Sequence, residues 1–134
     1  MQTLLVLLIV LHVLTGVFWA GSTFVMARTA GALAERLAFP QFGAAVVTLL
    51  MGVSVWAMAV RQLPPMPSLH VLGAGMMCAV LALLVQGFAL PAVRRLRAAG
   101  TDAGATRRRI AIHQRIAAVL LMITVACMAG WQHI

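Results

Sequence analysis

The sequence predicts an all-α integral membrane protein, one domain over residues 1–134 folded as a four-helix bundle. Three observations predict it. Of the 134 residues, 63% are hydrophobic and 9% charged, and the mean hydropathy is +1.05. A water-soluble domain of this size has no interior large enough to hide that much apolar surface. The apolar residues fall into four runs, about 3–27, 42–60, 69–93 and 110–132, each close to or above the roughly 20 residues that a helix needs to cross a bilayer. Chain breakers fall between the runs, as helices joined by short connections require.

The first run ends at Arg28. No basic stretch precedes its apolar core, and that core is too long for a secretory signal, so it reads as a retained span. It contains "LHVLTGVFWAG" (residues 11–21), with His12 as its one ionisable side chain. The second run follows Pro40 and stops short of Arg61. Pro64, Pro65 and Pro67 punctuate the connection to the third run, which opens in "SLHVLGAGMM" (68–77). Pro91 lies near its end, where a proline kinks or closes a helix. Gly100 and Gly104 make the third connection read as the flexible one. The fourth run follows Arg107–Arg109 and ends in "MAGWQHI". Gly16, Ala20 and Gly21 on the first helix, and Gly73, Ala74 and Gly75 on the third, are small enough for close helix contact or for the approach of a flat cofactor.

The formal charge is +8, carried by ten arginines and no lysine. Arg94, Arg95, Arg97, Arg107, Arg108 and Arg109 crowd the third connection against Asp102. Arg28 and Arg36 flank the first with Glu35, and the second holds only Arg61. The bias predicts that the first and third connections, including the basic segment 94–109, face the cytoplasm, with both termini and the proline-rich connection outside. A short basic connection between apolar runs meets lipid headgroups; no nucleic-acid partner is expected.

No acid lies within an apolar run. There is no Ser-His-Asp set, carboxylate pair, phosphate loop or HExxH, so hydrolytic chemistry has little support. Cys78 and Cys127 form no CxxC or CxxCH motif and read as small packing thiols. What remains is ligand chemistry. His12 shares a helix face with Thr15, Gly16 and Trp19, where Trp19 would line a cofactor pocket, and an imidazole at that depth needs a partner: a haem iron or metal, or a group on another helix. His70 reads as a ligand or as a headgroup-solvated residue. His113 and His133, at the two ends of the fourth run, read mainly as interfacial, with metal ligation as the lesser alternative. Counted from the arginine ends, His12 and His70 differ in depth by roughly 12 Å, an awkward offset for two axial ligands of one haem; His70 and His133 are closer in depth. Arg61 reads as a topology anchor or as a partner for a haem propionate. Met76, Met77, Met122 and Met128 flank the cysteines and would suit Cu(I), although Met is also ordinary helix filler.

Three short patterns carry a resemblance. A His is followed seven residues later by Trp and then by Gly (His12, Trp19, Gly21). A second helix near a Pro carries Thr and Gly (Pro40, Thr48, Gly52). A third opens in "LHVLG" (69–73), with Leu72 where the related motif has lysine. Over nearly its whole length the chain resembles the small four-helix membrane proteins of the HemJ family, bacterial protoporphyrinogen IX oxidases, and more distantly copper resistance protein D. The resemblance implies a multi-pass protein of the bacterial inner membrane with haem b, His12 and His70 as haem or active-site residues, and electron transfer from a quinol or porphyrinogen-type donor to an acceptor. Quinone or porphyrin, other membrane subunits or a second copy would be its partners. The alternatives are a copper-handling membrane protein and a cofactor-free structural subunit of a larger membrane complex.

Overall fold

The computed structural model describes residues 2–98 and 103–133. The chain forms helices α1 (Gln2–Arg28), α2 (Ala34–Met58), α3 (Ser68–Ala98) and α4 (Ala103–Gly130), with 3-10 turns at Val60–Gln62 and Trp131–His133. All four helices are long and apolar enough to cross a bilayer. Gly100 and Asp102, assigned by sequence to the third connection, lie outside the described residues.

At the arginine-rich end the helices run beyond the apolar runs. Pro40 does not precede α2 but lies inside it; it removes one backbone bond, to the Arg36 carbonyl, without ending the helix. Likewise α3 continues through Pro91 to Ala98, and Gly104 belongs to the first turn of α4. The six arginines between 94 and 109 therefore stand on helical turns rather than in a loop. Hydropathy marks where the apolar surface stops, and arginine is a good helix former that carries the backbone further.

Between α1 and α2 the backbone turns through Ala30 (φ 50°) and Gly31 (φ 77°). The Gly31 N–H donates to the Met26 carbonyl at 3.1 Å, the bond that closes a helix with a left-handed residue after it. A Cβ on Gly31 would lie 3.0 Å from the Arg107 carbonyl oxygen, so this turn also seats α1 and α2 on α4.

Each helix packs chiefly on its two neighbours in a ring, α1 on α2 and α4, α3 on α2 and α4. The buried residues recur every three or four positions on one face: Ala34, Ala38, Gln41, Ala45 and Thr48 on α2; Gly75, Ala79, Ala82, Gln86, Ala89 and Val93 on α3; Ile110, Gln114, Ala117, Leu121 and Thr124 on α4, where Ala111 and Ala118 widen the face. These faces are dominated by alanine, while large apolar side chains point outward, with Phe88 77% and Val17 67% exposed. That is the reverse of a water-soluble core and suits helices whose solvent is lipid.

Not all of the small residues singled out by sequence serve as contacts. Gly75 does: its added Cβ would lie 2.8 Å from Cys127 Cβ and 3.3 Å from the Thr124 carbonyl oxygen, and the Thr124 hydroxyl lies 3.1 Å from the Gly75 carbonyl that accepts from it. A Cβ added at Gly16 would lie 3.5 Å from Thr48 Cγ2, whereas one added at Gly21 or Gly73 would meet nothing within 4 Å. Gly75→Ala is therefore expected to lower the unfolding free energy in detergent by about 1–3 kcal/mol through overpacking. Gly73→Ala should leave it unchanged or raise it slightly. Denaturant titration followed by far-UV circular dichroism separates the two.

Candidate functional site

Five polar or aromatic side chains, at least one from each helix, meet inside the bundle. Trp19, Thr23, Gln41, Gln86 and Gln114 are all 3% exposed or less. The Trp19 indole N–H donates to Gln86 Oε1 at 2.7 Å. Gln86 Nε2 donates to the Thr23 hydroxyl at 2.9 Å and to Gln114 Oε1 at 3.2 Å. Gln41 Nε2 donates to the same two oxygens, at 2.6 and 3.1 Å, and its own Oε1 accepts from Gln114 Nε2 at 3.2 Å. The Thr23 hydroxyl donates to the Trp19 carbonyl at 2.7 Å.

The donors and acceptors match almost fully. Thr23 Oγ1 and Gln114 Oε1 each accept two bonds, which fills their lone pairs, and one N–H of Gln114 is left over. None of these groups is an acid, a base or a nucleophile near neutral pH, so the cluster binds helices rather than protons. Among the described residues the buried side-chain atom without a partner lies elsewhere, at Arg107 Nε.

Sequence reading centred on ionisable groups passes over Gln41, Gln86, Gln114 and Thr23. A signal for them exists: each glutamine stands in an apolar helix with alanines three and four positions away (Ala38 and Ala45; Ala82 and Ala89; Ala111 and Ala118). An amide framed by alanines at helical spacing marks a face where backbones approach closely around a hydrogen bond. Trp19, expected to line a cofactor pocket, is packed into this core with its N–H engaged by Gln86.

His12 forms a second polar contact, between α1 and α2. Its Nδ1 lies 2.8 Å from the Thr48 carbonyl oxygen. A carbonyl can only accept, so Nδ1 carries the hydrogen of this bond, and in the neutral ring Nε2 is then the nitrogen with the lone pair. The ring lies against Gly52, where an added Cβ would stand 2.9 Å from His12 Cε1. The Thr48 hydroxyl is 2.8 Å from both the Thr15 hydroxyl and the Ala44 carbonyl. Thr15 in turn donates to the Leu11 carbonyl at 2.7 Å.

The other candidate residues stand apart. His70 is exposed at the start of α3, Arg61 is exposed in the 3-10 turn after α2, and His133 is exposed in the turn after α4. The His113 Nδ1–H donates to the Arg109 carbonyl of its own helix at 2.8 Å. Thr23 and Gln86 are bonded and therefore near one level, which sets His70 roughly 7 Å beyond His12 toward the proline-rich end. The offset has the direction expected from sequence and is smaller. Among the described residues, no three His, Cys, Asp or Glu side chains gather as a metal site would need. Cys78 and Cys127 are both free and half-buried.

Two surface grooves flank α4. One, of about 460 Å³, is apolar and runs between α1 and α4 past Ala20, Phe24 and Val125. The other, at the arginine-rich end between α3 and α4, is lined in part by Arg95, Arg109 and His113. Neither includes His12 or His70. Comparison of the chain with protein-family models, curated proteins and solved structures gave no match.

Gln86→Leu removes the acceptor of the Trp19 N–H and the donor to Thr23 and Gln114. It is expected to cost about 2 kcal/mol of unfolding free energy, read by denaturant titration in detergent. Gln62→Leu, in the exposed turn after α2, should stay within about 0.5 kcal/mol of the wild type.

Proposed function

We propose that this chain is a multi-pass protein of a bacterial inner membrane that holds haem b through His12 and passes electrons between a quinol or porphyrinogen-type donor and an acceptor. In this reading the arginine-rich end faces the cytoplasm, following the positive-inside rule. The observation that carries the proposal is the contact among His12, Thr48 and Gly52. Of the residues on which the resemblance to the HemJ family rests in the first two helices, these three touch one another.

The residues present would hold the group through His12. A ligating imidazole usually donates its other N–H to a carbonyl or carboxylate, which fixes the tautomer and the ring plane. The Thr48 carbonyl does this for His12, and Gly52 provides the space for the ring. His70, exposed and offset along the bundle axis, stands apart from His12 within one chain. When bound, haem b supplies one-electron redox chemistry. The protein's part would be to orient the His12 ring through the Thr48 carbonyl and to surround the site with apolar side chains that exclude water.

A second reading, a cofactor-free structural subunit, is favoured by the same hydrogen bond, because the Thr48 carbonyl already satisfies His12 as an interhelical contact. The absorption spectrum of the detergent-purified protein, reduced minus oxidised, separates these. The haem reading predicts a Soret band with α and β bands, lost in His12→Ala and shifted in Gly52→Ala. A colourless protein free of metal supports the structural subunit, and one with stoichiometric copper supports copper handling.

A further inference from the structure

The groove at the arginine-rich end has both cationic and apolar side chains in its lining. It has a volume of about 240 Å³ and is lined by Arg95 and Pro91 from α3 and by Thr106, Arg109 and His113 from α4, with Phe88 on its apolar wall. That volume is just below the roughly 300–1,000 Å³ of small-molecule pockets, enough for a headgroup and not for a large ligand.

Most of the neighbouring arginines are occupied. Arg107 pairs with Glu35 at 3.0 Å. Arg97 donates through Nε to the Glu35 carbonyl at 3.0 Å and lies over the Phe39 ring at 4.6 Å. Arg94 stands at 6.0 Å from the same ring, and the Arg115 Nε–H donates to the Ala27 carbonyl at 3.4 Å. Arg95 and Arg109, like Arg28, Arg36 and Arg108, have no such partner among the described residues, where Glu35 is the only acid, and of these five they are the two that line the groove. Two like charges thus line one small groove between packed helices, and an anion between them would offset their repulsion.

We propose that this groove binds the phosphate group of an anionic lipid headgroup. Arg95 and Arg109 approach it from two helices as charge-assisted donors, and the Thr106 hydroxyl supplies a neutral donor. The His113 ring is steadied by its Nδ1–H bond to the Arg109 carbonyl. Phe88, 77% exposed, and Pro91 offer an apolar wall for the start of an acyl chain. Basic grooves between helices at the level where arginines end an apolar span are where headgroup phosphates lie. The proposal rests on the membrane reading above and is independent of haem.

Native mass spectrometry of the full chain in detergent, with phosphatidylglycerol or phosphatidylcholine added, tests it. Flotation of each variant with liposomes reports membrane association separately. The expected result is retention of phosphatidylglycerol over phosphatidylcholine. Arg95→Gln and Arg109→Gln each weaken it about fivefold and the double variant roughly 25-fold, while Arg28→Gln and Arg36→Gln leave it unchanged. Competition with inorganic phosphate separates the sources: persistence of the bound lipid supports the lipid site, and its displacement would overturn it in favour of free phosphate. Equal retention of the two lipids, or of phosphatidylglycerol by the wild type and the double variant, would overturn the proposal.

Discussion

The hydrogen-bonded junction of Trp19, Thr23, Gln41, Gln86 and Gln114 is the contact on which the arrangement of the four helices depends. Helices this apolar gain nothing from excluding water when they meet in a bilayer, so packing and polar bonds must hold them. The small faces of α2, α3 and α4 allow close approach, but alanine against alanine leaves neighbouring registers nearly equal in energy. The junction breaks that degeneracy. Sliding one helix by a single turn would leave amide groups unpaired in a low-dielectric interior, where an unmet donor or acceptor costs far more than a formed bond contributes.

With the register set, contacts toward each end follow. Toward the arginine-rich end, Glu35 binds Arg107 of α4 through its carboxylate and Arg97 of α3 through its carbonyl, and Gly31 fits closely against the Arg107 backbone. These exposed charge contacts each contribute little and act chiefly to align α2, α3 and α4. Away from that end, the same register brings Thr48 and Gly52 opposite His12, and Thr124 opposite Gly75. The His12 contact and the α3–α4 groove are thus consequences of one central alignment.

The four helices were legible because hydropathy over some twenty residues is a strong signal that local detail does not disturb. Their ends were less so. Pro40 and Pro91 look like breakers, yet each removes a single backbone bond, and the arginines beyond them extend the helices. The face of α1 with His12, Thr15, Gly16 and Trp19 could be read from spacing, but which helix it meets could not. His12 turned out to face Thr48 and Gly52 rather than a second histidine. The central junction went unread because amides do not titrate. Gln41, Gln86 and Gln114 stand 45 and 28 residues apart in sequence, and only the assembled bundle makes them neighbours.

If the junction acts as one unit, residues within it that do not touch must still be coupled. Gln41 and Gln86 share Thr23 and Gln114 as partners without bonding each other. A double-mutant cycle on Gln41→Leu and Gln86→Leu, measured as unfolding free energies in one detergent, tests this directly. The account predicts that the double variant loses less than the two single variants combined, with a coupling of about 1 kcal/mol. Additive losses would contradict it, reducing the junction to a set of separate pairwise bonds.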